Sequence, residues 1–96
     1  MQTYLVIRRS AWLSRQEQRD ADDRSALEAA RMADDIASIR SYALEERDRT
    51  IGCVCIYEAS TPEAVRRHAT AADLPVDEIV KVADTDRSSR SGGVDD

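Results

Sequence analysis

Hydrophobic and polar positions divide the chain into six structured segments and a polar end. Thr3-Tyr-Leu-Val-Ile-Arg8 is continuously apolar in its middle and carries Tyr, Val and Ile, which suit a pleated surface, so it predicts a central strand. A loop from Ser10 to Leu13 leads into Ser14-Arg-Gln-Glu17, a capping box in which a hydroxyl meets the third amide and a carboxylate reaches back. The helix it opens should run to about Met32, where Asp34-Asp35 breaks it. Between Ser14 and Ser25 only Ala21 is apolar. That half of the helix reads as a solvated face, or as an acidic docking surface for a partner.

Ile36 to Leu44 alternates. Ile36, Ser38, Arg40, Tyr42 and Leu44 share one face, and Ala37, Ile39, Ser41 and Ala43 the other. Glu45 to Arg49 is the polar turn of a hairpin. Thr50 to Ala59 returns as a strand with Ile51, Cys53, Cys55 and Tyr57 on one face and Gly52, Val54, Ile56 and Glu58 on the other. Ser60-Thr-Pro-Glu63 starts a second helix, with a second capping box and Pro in the first turn. Ala64, Val65, His68, Ala69 and Ala72 form its apolar stripe, and Leu74-Pro75 ends it because the proline ring disfavours a helical Leu74. Ile79-Val-Lys-Val-Ala83 is a short last strand. From Asp86 onward Val94 is the one apolar residue, so residues 86–96 should be a disordered tail beyond a domain of residues 1–85.

The order strand, helix, strand, strand, helix, strand predicts an α+β fold, a ferredoxin-like βαββαβ sandwich with both helices on one sheet face. The other face, expected to carry Cys, Tyr and Ile, must find cover. A second copy of the same sheet would supply it, giving a homodimer of the dimeric α+β barrel type.

Composition sharpens this picture. Of 96 residues 42% are apolar, close to the globular average, so the chain should fold. Fourteen Lys and Arg against 19 Asp and Glu leave a net charge of −5, which disfavours nonspecific nucleic-acid binding. Aromatic residues are 4% with no Phe, so the core rests on small aliphatic side chains. The apolar run near the N-terminus is too short for a secretory leader or a membrane span, and the expected location is cytoplasmic. Cys53 and Cys55 are not a secreted disulfide framework, and a bridge between them within one strand would be strained.

The chain has no glycine-rich phosphate loop, G-x-S-x-G or H-E-x-x-H. Two constellations remain. Cys53 and Cys55 on one strand face offer two soft donors for nickel, copper(I) or zinc, half a site that His68, carboxylates or a symmetry mate would have to complete. The other reading is packing: buried thiols as small hydrophobes, and His68 at the helix–sheet boundary. Arg40 and Tyr42, with Tyr57 on the neighbouring strand, form a candidate clamp for an anionic ligand. Arg8 and Arg9 read as ordinary exposed charges.

The stretches Ile39-Arg-Ser-Tyr42, Val54-Cys-Ile-Tyr-Glu-Ala59, Thr61-Pro-Glu-Ala-Val-Arg66, His68-Ala69 and Leu74-Pro-Val-Asp-Glu-Ile79 resemble a bacterial family of small domains of unknown function. That family includes a nickel-binding, nickel-responsive protein. The resemblance spans about Tyr4 to Asp84. It implies a ferredoxin-like fold, a dimer, and Cys55 and His68 as the metal ligands, with Cys53 a local addition. Arg40 stands where some members carry a histidine. The resulting expectation is a small dimeric binding protein holding nickel, another transition metal or a small ligand on the sheet face. Two alternatives come from other classes. One is a cofactor-free or haem-dependent monooxygenase or isomerase using His68 or Tyr57 as acid or base. The other is a non-catalytic interaction module.

Overall fold

Each helix begins where a hydroxyl side chain receives an amide that the helix itself leaves unpaired. In the computed structural model, which describes residues 1–84, Ser14 caps the first helix by accepting from the Glu17 amide at 3.2 Å. The Glu17 carboxylate answers by accepting from the Leu13 amide at 3.0 Å. At the second helix the cap is Thr61 rather than the expected Ser60, and it accepts from the Ala64 amide at 3.1 Å. The Ser60 hydroxyl instead donates to Asp35, tying the β3–α2 corner to the α1–β2 corner. The elements are β1 (Gln2–Trp12), α1 (Arg15–Arg31), β2 (Ile36–Glu45), β3 (Ile51–Ala59), α2 (Pro62–Ala71) and β4 (Glu78–Lys81). The expected tail lies outside the described residues.

The strands form one sheet in the order β2-β3-β1-β4, every neighbouring pair antiparallel. This is the ferredoxin-like connectivity that the element order predicts. The helices lie on one sheet face, and the alternation of each strand decides what they cover. Register pairs Tyr4 with Tyr57, Val6 with Cys55 and Arg8 with Cys53. All six are buried beneath the helices, with Ile36 and Ala59 beside them. The helices approach closely because they present Ala29, Ala64 and Val65.

Two irregularities depart from the expected pattern. β1 continues past Arg8 to Trp12 through a bulge, with Ser10 at φ 47°. The backbone amides of Arg9 and Ser10 there find side-chain acceptors in Asp77 and Glu46. Gly52 lies under this bulge, and a Cβ at that position would stand 2.5 Å from the Arg8 carbonyl oxygen. A second irregularity falls between Ser38 and Arg40 in β2. Bulging there breaks the strict alternation: Ile36 and Ser38 share the helix side with Ser41 and Ala43, while Arg40, Tyr42 and Leu44 turn to the open face.

The open face is therefore not the one expected. Cys53, Cys55 and Tyr57 belong to the covered side. The open side carries Leu5, Ile7, Val54 and Ile56, all half-buried, flanked by exposed Tyr42 and Val80. Among the described residues no helix is long and apolar enough to cross a membrane.

Candidate functional site

Arg8 occupies the third inward position of β1 after Tyr4 and Val6, and it is 1% exposed. Burying a guanidinium is costly unless its charge and its donors are met. Its Nε donates to the Pro75 carbonyl at 2.8 Å. Its Nη1 points at the Cys53 sulfur at 3.8 Å. Its Nη2 is buried with no acceptor among the described residues. The ion pairs Arg9–Glu46, Glu28–Arg31, Glu63–Arg66 and Asp35–Arg67 among the described residues do not involve it. What faces this cation are thiols and a phenol.

The Cys53 and Cys55 sulfurs are 3.4 Å apart on the same face of β3. The Ser41 hydroxyl is 3.1 Å from Cys55 Sγ across the β2–β3 ladder. Either sulfur can donate to the other. A hydrogen bond from Cys53 holds the Cys55 thiol down at about 6, aided by Ser41 and the Arg8 charge and opposed by burial. Cys53 moves the other way, because its proton is held by Cys55 and it is itself buried. Burial and the neighbouring Cys55 charge push the Tyr57 phenol up to about 12. Burial against two thiols and a phenol opposes the Arg8 charge, yet their negative charge keeps the guanidinium protonated more firmly than usual. The chemical unit is a buried guanidinium beside a dithiol in which Cys55 gives up its proton more readily than Cys53.

His68 is separated from this unit by Tyr57. The two rings meet edge to face, with centroids 5.1 Å apart. His68 Nε2 donates to the Ser25 carbonyl at 2.9 Å, and Ser25 Oγ is 3.0 Å from the Tyr57 hydroxyl. Burial lowers the His68 pKa below the ordinary imidazole value, the Ser25 bond working against it. The neutral ring thus serves as packing and as a donor to the α1 backbone.

The site expected from sequence is partly assembled. Cys53 and Cys55 meet. His68 does not join them, and among the described residues no three His, Cys, Asp or Glu side chains come together as a metal-holding group. The two sulfurs suit a soft ion as donors, with no third protein ligand beside them among the described residues. Arg40 and Tyr42 do meet on the open face, with the guanidinium carbon 6.0 Å from the ring centre. Tyr57, the third member of the expected clamp, is on the opposite face of the sheet, because the register that pairs Ser38 with Tyr57 gives way at the bulge before Arg40. The missed residues are Arg8, Ser41 and Ser25. The signal for Arg8 was the alternation itself, Tyr4, Val6, Arg8, which places it on the covered face.

A cavity of about 10 Å³, the size of one water molecule, lies beside this unit. Arg8, Cys53, Cys55 and Tyr57 line it, and it reaches toward the surface at Trp12 and Asp22. A separate open groove of about 820 Å³ lies between the end of α1 and α2, away from the thiols.

Residues 4–82 match the family model described as nickel responsive protein, SCO4226-like. The chain belongs to that family. Among solved structures, the crystal structure of SCO4226 from Streptomyces coelicolor A3(2) superposes with a TM-score of 0.69 at 18% identity, covering 88% of this chain and 99% of that one. At that identity the likeness speaks to the fold. No curated protein matches the chain.

Proposed function

We propose that the protein is a homodimeric, non-enzymatic binding protein whose dithiol, Cys53 and Cys55, captures a thiophilic transition-metal ion. The observation that carries this reading is the pair of sulfurs held 3.4 Å apart on one strand. Thiolates select soft ions, and two neighbouring thiolates chelate. Charge balance supports a choice among the metals. Two thiolates and a cuprous ion sum to one negative charge, which the buried Arg8 guanidinium cancels. With nickel(II) or zinc(II) the same group keeps a buried positive charge and needs further donors, from solvent or from a second copy. The family description, nickel responsive, supports a metal as the ligand class. The second copy is supported by the apolar open face, where Leu5, Ile7, Val54 and Ile56 adjoin exposed Tyr42 and Val80.

Calorimetric titration of the fully reduced protein with copper(I), nickel(II) and zinc(II) tests the reading. The expected result is one copper(I) ion per chain, bound more tightly than nickel and lost in Cys55→Ser. Absence of heat with all three ions removes the metal reading, and nickel binding tighter than copper(I) removes the charge argument.

A further inference from the structure

Cys53 and Cys55 are 2% and 6% exposed, and the polar first half of α1 lies over them. The small cavity beside the sulfurs has Arg8, Cys53, Cys55 and Tyr57 on its sheet side. Gln18, Ala21, Asp22 and Ser25 close its helix side. A helix covering a core is ordinarily held there by its apolar face. This half of α1 has almost none. From Arg15 to Ser25 the buried residues are Gln18, Ala21 and Ser25, and Ala21 brings a single methyl group. By contrast α2 buries Ala64, Val65, His68 and Ala69.

The hydrogen bonds divide at the same place. The pairs Arg15–Gln18, Gln16–Asp20 and Gln16–Arg19, with the Ser14–Glu17 cap, tie the segment to itself. Arg24 and Ser25 tie α1 to its neighbours. Arg24 Nε donates to the Ala72 carbonyl at 2.9 Å. The Ser25 carbonyl accepts from His68 at 2.9 Å, and its hydroxyl meets the Tyr57 hydroxyl at 3.0 Å. Helix propensity adds little, because Asp20, Asp22 and Asp23 lie in the helix interior, where aspartate is among the weaker formers. A segment held so lightly opens locally at a lower cost than the whole domain.

We propose that residues 15–23 are a lid. They lift from the sheet by local unfolding, pivoting at the Arg24–Ser25 anchor, and expose Cys53 and Cys55 while the sheet, the rest of α1 and α2 stay folded. The motion turns the water-sized cavity into a passage at its Trp12 and Asp22 end. An ion or reagent reaching the sulfurs enters this way, so the lid sets the rate of uptake and release. Access is gated whether or not a metal is the ligand.

Native-state thiol labelling tests the lid. The protein is reduced and metal-free, and the probe is dithiodipyridine, a neutral thiol reagent, so the outcome does not depend on metal binding. Rates are taken relative to the urea-unfolded chain at the same pH, with amide hydrogen exchange followed in parallel. Both thiols should become accessible at least about tenfold more often than the most protected amides of β1 and β3, and low urea should change their labelling little. Amides of residues 18–23 should exchange with the same opening equilibrium as the thiols. Arg19→Gly, an exposed change inside the lid, should speed labelling by about three- to fivefold. Thr61→Ala removes the cap of α2, outside the lid. It should lower the urea midpoint and leave native labelling unchanged. Thiols that open no more often than the sheet amides, with the same steep urea dependence, would overturn the lid, since opening would then be global. Thiols as reactive as in the unfolded chain would overturn it too, because nothing would then cover them. So would Thr61→Ala speeding labelling as much as Arg19→Gly.

Discussion

Arg8→Ala is expected to destabilise the fold by about 2–5 kcal/mol, the range found when a large buried side chain is truncated to alanine. The Pro75 carbonyl loses its 2.8 Å donor, the core gains a void, and the dithiol loses the charge that faces it. A small domain has a total stability of only about 5–15 kcal/mol, so this single change brings it close to unfolding. Arg8→Met separates the contributions. It keeps most of the volume, so it should be less destabilising than Arg8→Ala, yet it removes the cation and should raise the pH at which the first thiol ionises. Urea denaturation of both variants checks the first part. A cost below about 1 kcal/mol for Arg8→Ala would mean that the guanidinium is an ordinary surface charge, as its sequence alone suggests.

Ile56→Asp is expected to convert the proposed dimer into a monomer. Ile56 lies in β3 on the open face, opposite Leu5 on one side and Arg40 on the other. A carboxylate at the middle of an apolar interface must be desolvated, and each copy would bring one against the other. Sedimentation of wild type and variant over a range of concentrations is the measurement. The wild type should remain dimeric, and its melting temperature should rise with concentration because association stabilises the fold. The variant should sediment as a single chain while keeping its helix and strand signature. A wild type that is monomeric at all concentrations would leave the open face to some other cover.

The element pattern was readable because local rules and the global fold agree. Ser14 caps α1 as expected, the cap of α2 falls on Thr61 one residue past the expected Ser60, and the hairpin turn lies between two alternating strands. Which face of β3 is buried was not readable. Ile51, Cys53, Cys55 and Tyr57 are apolar enough to face the helices, but so are Val54 and Ile56 to face a partner. Alternation gives the period of a strand and not its inside. The bulge between Ser38 and Arg40 compounds this, because one extra residue moves Arg40 and Tyr42 across the sheet from Tyr57. That shift is why the expected three-residue clamp does not form. Arg8 was misread for a different reason. Arginine is rarely fully buried, and this prior outweighed the two-residue spacing from Tyr4 and Val6. The cysteine pair was legible as a unit, since two residues on a strand must share a face. Its guanidinium neighbour comes from β1 and its hydroxyl neighbour from β2, so the site becomes visible only when the sheet order is known.

The most direct measurement of the account is the pH dependence of thiolate absorbance in the reduced, metal-free protein. Tyr57 does not interfere, because its phenol ionises only at about 12. One thiolate per chain should appear as the pH rises through about 6, disappear from that range in Cys55→Ser, and shift upward in Arg8→Met. If instead no thiolate forms until about pH 8.5, the range of a free cysteine, the two sulfurs and Arg8 do not form a functional unit.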